Sequence, residues 1–333
     1  MKMNSIMALL LLLIVALSAL SLLIGPADIS ITQAISALVH GEGDAIVVVM
    51  REIRLPRLLL GLLIGFSLGI SGAAMQGFLR NPLAEPGVLG LSSAAALGAV
   101  ISLQTGLAIE TMGIAPALVL PISAMLGAGL AAAIIMLFGS SHRTERLILV
   151  GIGISAIAGA LTALALNLSP NPFAALEIIF WMMGSIADRS MFHVWLALPF
   201  ILVGSIILLG SSKGLDALSL GQDTAQSLGV NLGRLSFMII LSVAMMVGAS
   251  VSVAGAIGFV GLVVPHMLRP FVGSMPSKLL LPSGVAGAAL LTGADILTRV
   301  IAPERDLKLG VLTALIGAPI FLHLVIKSQK RSS

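Results

Sequence analysis

Long apolar stretches joined by short polar connectors make up most of the chain, and they predict membrane-spanning helices. A helix needs roughly 20 apolar residues to cross a bilayer, whereas an outer-membrane barrel shows short strands that alternate in polarity. The stretches here are continuous. We therefore expect an all-α polytopic membrane protein with about ten transmembrane helices, at 7–24, 56–78, 88–104, 113–138, 147–167, 191–210, 235–256, 257–272, 280–299 and 309–326.

The composition supports this pattern and excludes several functions. The 333 residues are 58% hydrophobic and 10% charged, whereas about 25% of residues are charged in an average soluble protein. This excludes a large aqueous domain, so we treat 1–333 as a single transmembrane domain. Because cysteine is absent, disulfides and thiolate metal sites are excluded. We expect no metal site and no cofactor. We also expect no nucleic-acid partner, because no basic patch is interleaved with aromatic residues.

The distribution of positive charge favours one orientation in the membrane. With ten spans and the N-terminus inside, eleven Lys and Arg residues lie on the cytoplasmic side and seven on the other. This is the direction that the positive-inside rule requires, so both termini are expected in the cytoplasm. The apolar run 7–24 is longer than the core of a signal peptide, which has about 7–15 residues, and we expect a retained first helix rather than a cleaved leader.

Small residues recur every four positions in two of the predicted spans. In the second span they are Gly61, Gly65, Gly69, Ala73 and Gly77, and in the fifth span they are Gly151, Ser155, Gly159 and Ala163. Such faces let helix backbones approach each other in lipid, where no hydrophobic effect drives helices together. They predict close helix packing and carry no information about a substrate.

Two matches to enzyme motifs fail in their context. Residues 218–222 (LSLGQ) imitate the signature of ABC ATPases, but the chain has no G-x-x-x-x-G-K-[ST] loop that would hold a nucleotide. Residues 65–69 match G-x-S-x-G but lie inside an apolar helix, whereas that motif needs a turn from strand to helix. We therefore expect no enzyme activity in this chain.

Ionisable residues inside the spans leave a second transporter class open. A carboxylate in a span, such as Asp295, is typical of ion-coupled secondary transporters, which remain the alternative. Asp295 precedes Arg299 by four residues, however, and this spacing on a helix favours an ion pair.

Residues 211–234 form the longest polar connector on the cytoplasmic side. The pattern predicts two short helices that break at Gly221 and end at Gly229, because glycine favours the conformation that terminates a helix. The apolar positions of this segment are Leu215, Leu218, Ala225 and Leu228.

Five stretches, in order and in register, resemble the FecCD-type permeases of ABC importers for vitamin B12, haem and iron-siderophore complexes. They are 54–57, 81–90, 221–230, 258–269 and 295–319. The family motif residues among them are Asn81, Pro82, Leu83, Ala84, Pro86, Pro265, His266, Arg269 and Asp295. The similarity extends over nearly the whole chain from about residue 50.

The resemblance implies a type II ABC importer permease, which is a homodimer of ten-helix subunits in the bacterial inner membrane. Its partners would be two cytosolic ABC ATPase subunits and a periplasmic substrate-binding protein. The resemblance assigns docking of the binding protein to Arg54, Arg57 and Arg299; local acids such as Glu52 and Asp295 are the alternative partners of these arginines. It assigns coupling to the ATPase to Leu218, Gly221, Gln222, Asp223, Ala225, Gln226, Ser227, Leu228 and Gly229.

A cluster of aromatic and methionine residues precedes the sixth span. Trp181, Met182 and Met183 are large and polarizable, and we expect them beside the translocation path. Ordinary packing is the alternative for such a cluster.

Overall fold

The computed structural model describes residues 3–41, 44–105, 116–138, 144–169, 172–302 and 307–332, and within these ranges it contains helices and no strands. The predicted start of the fourth span, 113–115, lies outside the described residues. The helices are α1 (Met3–Leu23), α2 (Ile31–Val39), α3 (Asp44–Val48), α4 (Leu55–Phe78), α5 (Leu91–Thr105), α6 (Pro116–Phe138), α7 (Thr144–Asn167), α8 (Pro172–Met182), α9 (Met191–Gly210), α10 (Ser212–Ser219), α11 (Gln222–Ser227), α12 (Leu232–Ala254), α13 (Val260–Val272), α14 (Pro276–Ile301) and α15 (Leu309–Ser332).

The membrane-spanning prediction is confirmed. Seven helices in the described ranges are long and apolar enough to cross a bilayer, and α5, α13 and the apolar part of α15, Leu309–His323, are shorter apolar segments at the three remaining predicted positions. The second span is longer than predicted, because a π-helical segment, Val49–Arg54, joins α3 to α4. The hydropathy pattern did not predict α8, whose 11 residues are too few to cross a bilayer.

The helices α4 and α14 pack against each other along their whole length at the centre of the bundle. A Cβ atom on Gly65 would lie 2.4 Å from the carbonyl oxygen of Gly287, and one on Gly69 would lie 2.1 Å from that of Ser283. These distances are far below van der Waals contact, so only glycine allows this approach. The close packing predicted from the small residues of the second span is confirmed.

The other helices surround this central pair. α9, α12 and α13 contact α4, α1 packs on α14, and α5, α6 and α7 form a second group that reaches the centre through α12. Hydroxyl groups also join α4 to α12: Ser67 donates to the carbonyl oxygen of Met246 (3.0 Å), and Ser250 donates to the Ser67 hydroxyl (3.0 Å). Interhelical bonds of this kind are typical of helices packed in a membrane.

The helix α13, at the position of the predicted eighth span, has only 13 residues. It starts at Val260 instead of 257, because the backbone at Gly255 (φ 71°) and Phe259 (φ 67°) is left-handed and interrupts the helix. A side chain at Gly255 would collide with the carbonyl oxygen of Trp181 at 2.2 Å. The break between α12 and α13 is therefore fixed by tight packing.

Candidate functional site

Arginines and one aspartate form a cluster where α4 begins and α14 ends. Arg57 Nη2 lies 2.8 Å from Asp295 Oδ1, and Arg299 Nη2 lies 2.8 Å from Asp295 Oδ2. Asp295 is only 2% exposed, so both of its oxygens are neutralised in the interior. The ion pair predicted from the spacing of Asp295 and Arg299 is confirmed, and among the described residues Asp295, not Glu52, is the acid that pairs with the arginines.

Two of the arginines also hold the end of α1. Arg54 Nη1 donates to the carbonyl oxygens of Leu22 (2.7 Å) and Leu23 (2.9 Å), and Arg299 Nη1 donates to those of Ser21 and Ile24 (both 2.8 Å). The last carbonyls of a helix lack donors within the helix, and a cation there also complements the helix dipole. No sequence pattern predicted this contact, because the partners are backbone atoms far away along the chain.

The three arginines therefore differ in what they can offer to another molecule. Arg54 is 4% exposed, the Arg299 side chain is 9% exposed, and the Arg57 side chain is 22% exposed. Their role in docking a binding protein stays a prediction, and Arg57 is the member with the most accessible side chain.

The connector 211–234 folds as the sequence predicted. The helices α10 and α11 are separated by Gly221 (φ 114°), and Gly229 (φ 84°) follows α11. Leu215, Leu218 and Ala225 are buried against the bundle. We call residues 212–229 the elbow.

The outer surface of the elbow carries two large apolar side chains. Leu220 is 66% exposed and Leu228 is 63% exposed, so Leu228 differs from the three buried apolar positions of the elbow. Of the other residues assigned to ATPase coupling, Gln222 is half-buried, and Asp223, Gln226, Ser227 and Gly229 are exposed. Their role in coupling stays a prediction.

The motif at 81–90 is a folded connector that packs against the start of α13. The side chain of Asn81 accepts a hydrogen bond from the backbone N–H of Leu83 (2.9 Å), and Pro86 opens a short 3-10 helix, Pro86–Leu89. Burial raises the pKa of the Glu85 carboxyl, and a hydrogen bond from the backbone of Phe259 opposes this shift. The connector thus places an acid beside the strained residue that precedes α13.

The motif residues of α13 have distinct surroundings. Pro265 is buried within the helix, while His266 is half-buried. Arg269 Nη2 donates to Gln76 Oε1 (2.7 Å), and Gln76 Nε2 donates to the carbonyl oxygen of Leu262 (3.2 Å). Gln76 was missed in the sequence, although an amide inside an apolar span was a signal that it has a buried partner.

The aromatic and methionine cluster divides into two parts. Trp181 packs against the hydrophobic core. Met182 and Met183 line an open cavity of about 560 Å³ together with residues from the start of α15, among them Gly310, Ala314 and Ala318. The cavity wall is almost entirely apolar. The role of these residues in translocation stays a prediction.

Metal-ligand geometry is absent from the part of the chain that the structure describes. No three His, Asp or Glu side chains come together there in a group that would hold a metal ion.

Comparisons with known proteins agree on one family. The model of the FecCD transport family matches residues 11–327. The chain is 37% identical over 286 residues to the uncharacterized ABC transporter permease protein YvrB of Bacillus subtilis, covering 85% of this chain and 80% of YvrB. It is 39% identical over 282 residues to the vitamin B12 import system permease protein BtuC of Klebsiella pneumoniae, covering 84% and 83% of the two chains.

A solved structure supports the same assignment. It is described as an inward-facing conformation of a metal-chelate type ABC transporter. The two chains superpose with a TM-score of 0.87 at 32% identity, over 97% of this chain and 99% of the other.

Proposed function

The chain belongs to the FecCD transport family and is a permease subunit of an ABC importer, and we propose that it carries a metal chelate across the plasma membrane into the cytoplasm. Cobalamin, haem and iron-siderophore complexes are the candidate cargoes. It is a multi-pass membrane protein of a family whose members are not enzymes themselves, and it works with ABC transporter partners in a dimeric arrangement. The finer assignments below are our proposals.

We place both termini in the cytoplasm, which puts the arginine cluster outside and the elbow inside. Our proposal that two cytosolic ATPase subunits drive the transport rests on the structure of the elbow. Leu215, Leu218 and Ala225 fix it to the bundle, while Leu220 and Leu228 project from it. We propose that these two exposed leucines contact the ATPase. Movement of the ATPase would then be transmitted to the helices as a rigid-body displacement.

We propose that the dimer contains two copies of this chain, which meet partly through α7. Leu149, Ile152 and Ile157 on this helix are 67%, 55% and 64% exposed. Among the described residues, no atom lies within 4 Å of a Cβ placed on Gly159, so this end of the small-residue row has space for a partner. The cavity beside Met182 and Met183 would lie at the outer end of the resulting pathway.

Docking of a periplasmic binding protein is assigned to the outer arginine cluster. We propose that Arg57 makes the direct contact with an acidic group, because its guanidinium is the most accessible of the three. Arg54 and Arg299 support the surface by holding the end of α1. Arginine suits this role because its planar fork binds carboxylates with two parallel hydrogen bonds.

The test of the function is reconstitution of the chain with the P-loop ATPase that co-purifies with it. Vesicles that contain both proteins should accumulate one of a panel of cobalt and iron chelates when ATP and the binding protein are supplied. The permease alone should transport none of them. Accumulation driven only by a pH or sodium gradient would instead establish the ion-coupled alternative.

The elbow is tested by substitution at its glycines. Gly221→Leu and Gly229→Leu force a side chain into left-handed backbone, so they should abolish uptake while the chain still inserts and the ATPase still hydrolyses ATP. Gly129→Leu in α6 is the matched control, because no atom lies within 4 Å of a Cβ at that position. Normal uptake by both elbow variants would mean that the ATPase contacts another surface.

The docking proposal is tested by charge reversal. Replacement of Arg54, Arg57 and Arg299 by Glu should reduce uptake and the affinity for the binding protein, and Arg57→Glu alone should account for most of the loss. Binding should also weaken as salt is added, since exposed charges are screened. Affinity that is independent of both charge and salt would contradict this assignment.

A further inference from the structure

A small cavity lined by both polar and apolar residues lies where the elbow meets the inner ends of three membrane helices. Its volume is about 150 Å³, and its wall includes Arg80, Arg269, Gln76, Ser219 and Ser274. Arg80 follows the end of α4, Arg269 belongs to the last turn of α13, and Ser274 precedes α14. Since these are helix ends, the cavity is at the level of the lipid headgroups whichever way the chain is oriented.

The charges around this cavity are unbalanced. Neither Arg80 nor Arg269 has an acidic partner among the described residues, and no acid lines the cavity. On the elbow, the carboxylate of Asp216 accepts the backbone N–H of Ser277 (2.8 Å) at the start of α14. The residues that line the cavity therefore include the exposed Arg80 and the partly buried Arg269 but no acid.

The guanidinium group of Arg269 is also incompletely bonded. Its Nη2 atom donates to Gln76, but its Nε atom is buried and has no hydrogen-bond partner within the described ranges. An unpaired buried donor is unfavourable, and a charged one more so. An anion in the cavity would supply the negative charge that this group lacks.

We propose that Arg80 and Arg269 form a binding site for a phosphate group, which links the elbow to the inner ends of α4, α13 and α14. The volume is about five times that of a water molecule in the liquid, which is roughly 30 Å³, so it is large enough for a tetrahedral oxyanion. Arginine forks bind phosphate with paired hydrogen bonds. Basic pockets between membrane helices at headgroup level are typical sites for anionic phospholipids.

The phosphate group has two sources, an anionic phospholipid and free inorganic phosphate, and they are separated by experiment. The thermal stability of the full-length chain is measured in nanodiscs of phosphatidylcholine with added phosphate, against chloride at equal ionic strength. A second measurement compares nanodiscs with and without phosphatidylglycerol. A ligand that binds only the folded state should raise the melting temperature by about 2–4 °C.

Variants identify the site. Arg80→Ala and Arg269→Lys should each lose the rise in melting temperature, because the first removes a charge and the second keeps the charge but loses the fork. Arg234→Ala is the matched control, since it removes an exposed arginine from the same side of the protein, and it should keep the full rise. Each rise is measured relative to the variant's own value without phosphate, so a general loss of stability does not obscure the result.

Each outcome decides the proposal. A rise with phosphatidylglycerol alone identifies a lipid headgroup, and a rise with inorganic phosphate alone identifies a free anion. The proposal is overturned if neither produces a rise, or if the rise persists in both arginine variants. It is also overturned if only the ATPase complex depends on these arginines, because the cavity would then receive a carboxylate from that partner.

Discussion

The helices α4 and α7 carry the same sequence pattern, a row of small residues every four positions, but the two rows differ in their surroundings. On α4 the row is filled by another helix: Gly65 meets Gly287 with their backbones in contact. On α7, a Cβ on Gly151 would collide with the backbone at Val88 and Leu89, whereas a Cβ on Gly159 would meet no atom of the described residues within 4 Å. The same pattern thus marks an internal contact along α4, while on α7 it marks an internal contact at one end and an open surface at the other.

The difference shows what a small-residue row does and does not predict. The row predicts that the backbone of another helix packs closely against this face, because small residues in membrane helices are enriched where two helix backbones come together. It does not indicate whether the approaching backbone belongs to the same chain. For α7 we propose that the partner is a second copy of this chain. Substitutions on α4 test the internal contact, and substitutions on α7 test the open surface.

The largest loss of stability is expected from Gly65→Leu, at the centre of the contact between α4 and α14. The new side chain would collide with the backbone of Gly287 and Ala288, neither of which can move without separating α4 from α14. We expect a loss beyond about 4–5 kcal/mol, the range of the most disruptive substitutions, and therefore no folded protein. Yield and monodispersity in detergent measure it, with Gly129→Leu as the control. A well-folded Gly65→Leu protein would show that the central pair is loosely packed.

The next largest loss of stability is expected from Asp295→Asn, at the end of the same helix pair. The substitution leaves Arg57 and Arg299 without their shared counter-charge. We expect a loss of about 2–3 kcal/mol, just below the range for breaking a buried ion pair, because Arg57 is partly exposed and Arg299 keeps its bonds to α1. A thermal melt measures it, and Glu52→Gln, at an exposed acid nearby, should change little. Equal melting temperatures for the two variants would contradict the buried pairing.

Local patterns in the sequence were sufficient to predict the spans, the two helices of the elbow and the ion pair of Asp295 with Arg299. Each of these depends on residues within a few turns of one another. Leu228 shows the limit of a local pattern: its apolar character grouped it with Leu215, yet it lies on the opposite, exposed side of the elbow. Which side of a short helix is buried depends on the helices behind it.

Contacts between distant residues could not be predicted from a single sequence. Arg54 binds the backbone at Leu22 and Leu23, and any residue type at those positions would offer the same carbonyl oxygens. Arg269 and Gln76 are 193 residues apart, and their pairing depends on how α13 crosses α4. The resemblance assigned Arg54, Arg57 and Arg299 to docking, with local acids as the alternative, and all three have partners within the chain itself.

A smaller effect is expected at Glu85, in the connector that touches both α13 and α7. Burial raises the pKa of its carboxyl in the folded chain, so the folded state is penalised for carrying the charge at neutral pH. This penalty disappears as the pH falls through the raised pKa, because the carboxyl is then protonated in the folded state. Glu85→Gln should therefore be more stable than the wild type at pH 7, and the difference should shrink on acidification.

Thermal melts between pH 4 and pH 8 measure this difference, and Glu145→Gln at the exposed start of α7 is the matched control. A difference that is constant with pH would show that the buried charge is not its cause. A wild type that is more stable than Glu85→Gln at neutral pH would show that the Phe259 hydrogen bond outweighs burial.

The smallest change in stability is expected from Gly159→Ala, on the unfilled row of α7. A Cβ there meets no atom of the same chain, and alanine is preferred to glycine within a helix by roughly 0.5–1 kcal/mol. The substituted chain should therefore be as stable as the wild type or slightly more stable. The bulkier substitution Gly159→Leu should also leave the monomer folded, but it should weaken the dimer. Light scattering in detergent measures the fraction of dimer. If Gly159→Leu dimerises normally and transports its cargo, the second copy does not meet this chain through α7, and the open row faces lipid instead.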